Sequence, residues 1–103
     1  MLTRINTWLG MAPKVETGTD ELAMCRRIAA GESHLFARIV DSYAGLVAGV
    51  ITSQGVEGSD VEDLAQLTFV NAYKGLGGFR GEFKLSSWLF SIAVNVARQH
   101  LKR

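Results

Sequence analysis

The segment Phe79-Arg80-Gly81-Glu82-Phe83-Lys84-Leu85-Ser86-Ser87-Trp88 gathers the side-chain types that handle unpaired nucleic acid. Aromatic rings offer faces on which a base can stack, Arg80 and Lys84 can meet phosphate, and Gly81 lets backbone approach closely. Stacking is worth about 1–3 kcal/mol per base. A loop of this kind could therefore hold bases taken out of a duplex, where unstacking costs a few kcal/mol. Arg80, Glu82, Phe83, Lys84 and Ser86 are the expected surface residues. In the competing reading Phe79, Leu85 and Trp88 are apolar pins seating the loop on the domain, and Trp88 and Phe79 fit that description.

Two helical patterns flank the loop. Downstream, Ser91, Asn95, Arg98 and Lys102 recur at steps of four, three and four, which lines them up on one helix face. Arg and Lys suit phosphate or guanine, Asn an adenine edge, and Ser either. The same spacing also describes a solvated helix face, and His100 falls off the stripe. Upstream, at about 100° per residue, Val61, Leu64, Ala65, Phe69, Ala72, Tyr73 and Leu76 share a core side. Leu67 and Val70 point away from it, beside Asp60, Asp63, Asn71 and Lys74. Two apolar side chains ringed by acids resemble a protein-docking patch, although scattered exposed apolar residues are common.

Other chemistries find little support. No nucleophile–base pair, phosphate-cradling loop after a strand or paired-carboxylate motif stands out from helix capping, so no enzyme is expected. The single cysteine, Cys25, rules out an internal disulfide framework. Cys25, His34 and His100 do not have metal-ligand spacing, and no cofactor is expected. Cys25 sits at helical spacing among apolar residues and reads as core. No apolar run is expected to span a membrane. The N-terminus lacks the ordered parts of a signal peptide, so the default location is cytoplasmic. Charge is uneven: residues 1–78 hold six Lys/Arg and nine Asp/Glu, whereas 79–103 hold five Lys/Arg and one Glu. The split suggests two surfaces with different partners, and chance placement on a helical domain would also produce it.

The elements that must position these residues are helical. The chain has 103 residues, 48% of them hydrophobic, which suits one small domain. Residues 1–18 read as a mobile tail in which Leu2, Ile5, Trp8 and Leu9 could form a docking turn. A first helix begins with Thr19 or Asp20 as cap and stops at Gly31. A second runs from about Glu32 to Ser53 on the repeat Leu35, Phe36, Ile39, Val40, Tyr43, Leu46, Val47, Val50 and Ile51. A third opens with the capping box Ser59-Asp60-Val61-Glu62 and breaks at Gly75, Gly77 and Gly78. The hinge loop spans Phe79 to Ser87. Ser86 or Ser87 caps a fourth helix, with Leu89, Ile92, Ala93 and Val96 facing inward. No segment alternates as a strand, so an all-α, compact four-helix fold without sheet is predicted.

Asp60-Val-Glu-Asp-Leu-Ala-Gln66, Phe69, Ala72-Tyr73, Leu76, Phe79-Arg80-Gly81-Glu82, Trp88-Leu89 and Ile92-Ala93-Val94-Asn95 resemble the second conserved region of bacterial sigma factors of the extracytoplasmic-function type. The likeness extends over about Asp20 to Arg103. It implies a helical domain that docks on the β′ clamp helices of core RNA polymerase. It also implies recognition and melting of the minus-ten promoter element, with a non-template-strand base held in the hinge loop. Many members are silenced by an anti-sigma factor, so such a partner is expected here, and no membrane insertion is expected. On this resemblance the polymerase contacts are Asp60, Asp63, Leu64 and Gln66, to which the helix angle adds Leu67, Val70 and Asn71. The resemblance places Asn95, Arg98 and Lys102 on promoter DNA, to which the loop chemistry and the helix stripe add Arg80, Glu82, Phe83, Lys84, Ser86 and Ser91.

The chain departs from the family pattern at several positions. Leu67 replaces a usual acid, Leu85 a usual Phe with Phe83 two residues earlier, and Val94 a frequent basic residue. Family members continue into a linker and a helix-turn-helix domain, so a chain stopping at Arg103 is expected to be an isolated or truncated domain with weak, salt-sensitive DNA binding. The alternative function is a sigma-like module that binds an anti-sigma factor without recognising a promoter.

Overall fold

The computed structural model describes residues 18–102, and the docking turn expected around Leu2 to Leu9 lies outside them. Within them the order is α1 (Thr19–Ala29), a 3₁₀ turn (Ser33–Leu35), α2 (Phe36–Ser53), α3 (Ser59–Gly75), a second 3₁₀ turn (Leu76–Gly78) and α4 (Leu85–Leu101), with no strand among the described residues. The all-α four-helix expectation holds.

Helix α1 is amphipathic and complements its own dipole, with Asp20 and Glu21 in the first turn and Arg26 and Arg27 in the last. It ends in a Schellman motif around Gly31, whose φ of 123° is left-handed. The Gly31 N–H donates to Ile28 O, and the Glu32 N–H to Arg27 O. The Arg27 side chain adds two bonds to the Glu32 carboxylate, at 2.7 and 2.9 Å. This closure turns the chain into α2, and Tyr43 Oη of α2 donates to Glu21 of α1. Burial, and then that bond, push the Tyr43 phenol above its ordinary range.

The apolar repeat of α2 turns Ile39, Val47, Val50 and Ile51 inward. The stretch Ser33–Ser53 is long and apolar enough, by length and mean hydropathy, to cross a bilayer. This corrects the expectation that no segment reaches that length. Its apolar side faces the core of the domain, however, and Arg38 and Asp41 are exposed on it. Helices α2, α3 and α4 pack on one another in all three pairings, while α1 packs on the 3₁₀ turns. The core joins Cys25 and Ile28 to the α2 set, Leu64, Phe69, Ala72, Leu76 and Phe79, and Leu85, Leu89, Ala93, Val96 and Ala97.

Three helix starts differ from those expected. The N-caps are Gly18, Gly58 and Lys84, and none makes a side-chain capping bond. Ser59 is the first helical residue of α3, so the capping box does not form. Asp60 and Glu62 act on the exposed N–H groups only through their charge. Helix α4 starts before Ser86, which leaves a loop of residues 79–84 rather than one running to Ser87. Tyr73, expected in the core, is exposed, with its ring edge-on to Phe36 at 5.3 Å. Thr68, which carried no apolar signal, is fully buried, its hydroxyl satisfied by donating from Oγ1 to Leu64 O at 2.8 Å.

Cys25 is buried as expected. Burial, then the nearby Glu21 carboxylate, push its thiol from 9.0 up to about 11. The folded state therefore holds the proton more tightly. The stabilisation this brings is complete below pH 9 and is lost as pH rises through about 11. At pH 8 the thiol is expected to react with a thiol-specific reagent at least tenfold faster in denaturant than in the native protein, as an absorbance assay of released thiolate would show.

Candidate nucleic-acid and protein interface

Helices α3 and α4 form an antiparallel hairpin. At its tip a β-carbon on Gly75 would lie 3.5 Å from the Trp88 ring, and Phe79 stacks on Trp88 with ring centroids 5.0 Å apart. At the opposite end His100 Nε2 lies 3.5 Å from Asp60 Oδ2, an ion pair whenever the imidazole is protonated. His100 is thus tied to a residue that the family pattern assigns to polymerase, a pairing its off-stripe position did not reveal.

Loop 79–84 hangs from this tip. Phe79 is buried and Trp88 half-buried, the pin role read from the sequence. Arg80, Glu82 and Phe83 are exposed, Phe83 by 61%, and Lys84 is half-buried. Ser86 is only 5% exposed, which corrects its reading as a surface DNA contact. Once α4 begins at Leu85, the helical repeat puts Ser86 three residues before Leu89 and seven before Ala93, on the core face. Ser87 is half-buried, and its Oγ has no hydrogen-bond partner among the described residues. Leu85, the third of the apolar pins read from the sequence, is fully buried.

Along α4, Ser91, Asn95, Arg98 and Lys102 are all exposed. The Ser91 hydroxyl donates to Trp88 O at 2.7 Å, which commits its proton to the helix backbone and leaves its oxygen as an acceptor. Ser91 and Asn95 line an open groove of about 570 Å³ with Asn71, Gly75, Gly78 and Trp88. The structure therefore brings Asn71, assigned with the polymerase contacts, to the same groove as two of the DNA candidates. Arg98, and Lys102 at the C-cap of the same helix, lie beyond that groove, and the loop residues do not line it.

On α3, Asp60, Asp63, Gln66, Leu67, Val70 and Asn71 are exposed. Leu67 and Val70 keep 45% and 47% of their surface in solvent, on the side away from the core. Leu64 is buried, so it holds the helix in place rather than meeting a partner directly. No group of three or more potential metal ligands occurs among the described residues.

The Sigma-70 region 2 family matches residues 39–103. Among curated proteins, the chain is similar to an ECF RNA polymerase sigma-E factor of Haemophilus influenzae, with 37% identity over 83 residues. That alignment spans 81% of this chain and 43% of the relative. An RNA polymerase sigma-H factor of Pseudomonas aeruginosa is 32% identical over 85 residues, 82% of this chain and 44% of that protein. The chain thus spans less than half the length of these relatives. Among solved structures, an engineered region 2 of sigmaE in complex with GTAAAA superposes with a TM-score of 0.73 at 33% identity, covering 79% of this chain and 84% of that one. CnrH in complex with the cytosolic domain of CnrY gives a TM-score of 0.68 at 29% identity, covering 76% of this chain and 51% of the other.

Proposed function

Because the chain belongs to the sigma factors, as a region 2 of the extracytoplasmic-function type, we propose that it docks on the β′ clamp helices of RNA polymerase and recognises and melts the minus-ten element. The observation that carries this reading is the exposed Phe83, between Arg80 and Lys84 in the loop at the hairpin tip, on a fold shared with a relative solved in complex with GTAAAA. Phe83 offers a stacking face, Lys84 and Arg80 meet phosphate, and Asn95 reads a base edge from the groove beside Asn71. Arg98 and Lys102 hold the backbone further along α4. On α3, Leu67 and Val70 form the apolar centre of the polymerase contact, flanked by Asp60, Asp63 and Gln66. Residues 19–103 are the working domain, acting in the cytoplasm where the polymerase is.

Fluorescence anisotropy with labelled single-stranded oligonucleotides tests the DNA half of this reading. Lys84→Ala and Asn95→Ala are each expected to weaken binding about five- to twentyfold, the size of one lost hydrogen bond to a charged or polar partner. Only the Lys84 variant should also flatten the salt dependence. A wild-type chain that binds scrambled sequence as tightly as GTAAAA would rule out base recognition.

A second reading has support in the relative solved with the cytosolic domain of CnrY. In that reading the exposed Leu67 and Val70 seat an anti-sigma factor. Competition between such a partner and the clamp helices for one chain separates the two.

A further inference from the structure

Loop 79–84 is gripped from a helix that belongs to neither functional face. Gly81 is buried, with φ of +78°, and a β-carbon there would lie 2.8 Å from Leu22 Cδ2 and 3.0 Å from Cδ1. The Leu22 side chain of α1 thus presses on the backbone at the centre of the loop. Both the positive φ and the close approach call for glycine at this position. The neighbours of Leu22 make it a firm support. Glu21 is bonded to Tyr43, and Cys25 and Ile28, three and six residues on, are buried in the core. Helix α1 precedes the residues matched by the family, which start at 39.

The geometry points to Leu22 as a positioning residue for base recognition, setting from α1 the loop conformation that presents Phe83 and Lys84. This rests on the proposed base-holding role of the loop. The chemistry needs nothing more than shape. A loop pinned at Gly81 has already lost the conformational freedom it would otherwise lose on binding, so intact bases gain affinity over a bare backbone. Removing the pin should reduce discrimination among bases more than it reduces attraction to phosphate.

Two measurements on the 103-residue chain test this. In native-state amide hydrogen exchange without DNA, Leu22→Ala is expected to speed exchange at least tenfold at Phe79, Ser87 and Trp88, the hydrogen-bonded amides that bracket the loop, with Leu89 to Val96 changed less than twofold. In binding, the preference for GTAAAA over the same hexanucleotide with single abasic positions is expected to fall at least fivefold. Leu22→Met should restore both. Gly81→Ala attacks the same contact from the loop side. Its effect on loop exchange should be smaller in a Leu22→Ala background than alone, because part of the clash is then gone.

Unchanged loop exchange in Leu22→Ala overturns the inference. So do strictly additive effects in the double variant, or equal affinity losses for intact and abasic oligonucleotides. If the wild-type chain itself shows no preference for intact bases, base capture fails and the inference with it, while the exchange data still judge the Leu22 seat separately.

Discussion

A chain carrying Leu67→Glu and Val70→Glu is expected to lose at least a hundredfold in affinity for the β′ clamp helices while unfolding at the wild-type denaturant midpoint. Both side chains are about half exposed on α3, on the side away from the core. Folding therefore has little to lose, and surface changes of this kind usually stay within about 0.5 kcal/mol. Binding has much to lose. Apolar anchors at the centre of an interface commonly cost about 2 kcal/mol or more each when removed, and about 1.4 kcal/mol is tenfold in affinity. The introduced carboxylates also stand beside Asp60 and Asp63, which adds like-charge crowding in any complex that excludes water. The double variant and wild type compared by surface plasmon resonance on an immobilised clamp-helix fragment, with urea melts alongside, would measure both halves. A retained affinity would move the protein contact away from this face.

The second large effect lies in the core. Leu89→Ala is expected to destabilise the domain by about 2–5 kcal/mol, the range for emptying a buried leucine site. Leu89 is fully buried and belongs to the same core cluster as Leu85 and Ala93 of α4 and Phe69 and Ala72 of α3. The residual cavity should be expensive because helices contribute from three sides, and relaxing one draws on the others. A domain of this size has a total stability of roughly 5–15 kcal/mol. The variant should therefore show a clear drop in urea midpoint with an unchanged slope, followed by circular dichroism at 222 nm. A loss under about 1 kcal/mol would mean the hairpin packs more loosely than its burial indicates.

The helices were legible because their apolar residues repeat at helical spacing. Val47, Val50 and Ile51 could hardly face anywhere but inward. Their starts were less legible, because capping depends on backbone angles that side-chain identity only biases. Gly58, with φ of 66°, takes the N-cap position one residue ahead of the expected Ser59. Ser86 was misread for the same reason. Its direction follows from where α4 begins, and a shift of one residue turns a side chain by about 100°. Leu67 and Val70 were found by angle, since they lie mid-helix where phase is fixed by many neighbours. Nothing local marks Leu22 as a loop support or Asp60 as a neighbour of His100, because both contacts join segments far apart in sequence. The sequence clue for Leu22 was Gly81 itself, a glycine in the middle of a loop rich in side chains.

The hairpin of α3 and α4 is fastened at both extremities, by the Phe79–Trp88 stack at one and the Asp60–His100 contact at the other. The two fastenings are unequal: the stack holds a buried phenylalanine, whereas an exposed ion pair is worth at most about 1 kcal/mol. A force that parts the two helices would therefore separate Asp60 from His100 first, and leave the tip and its Leu22 seat closed.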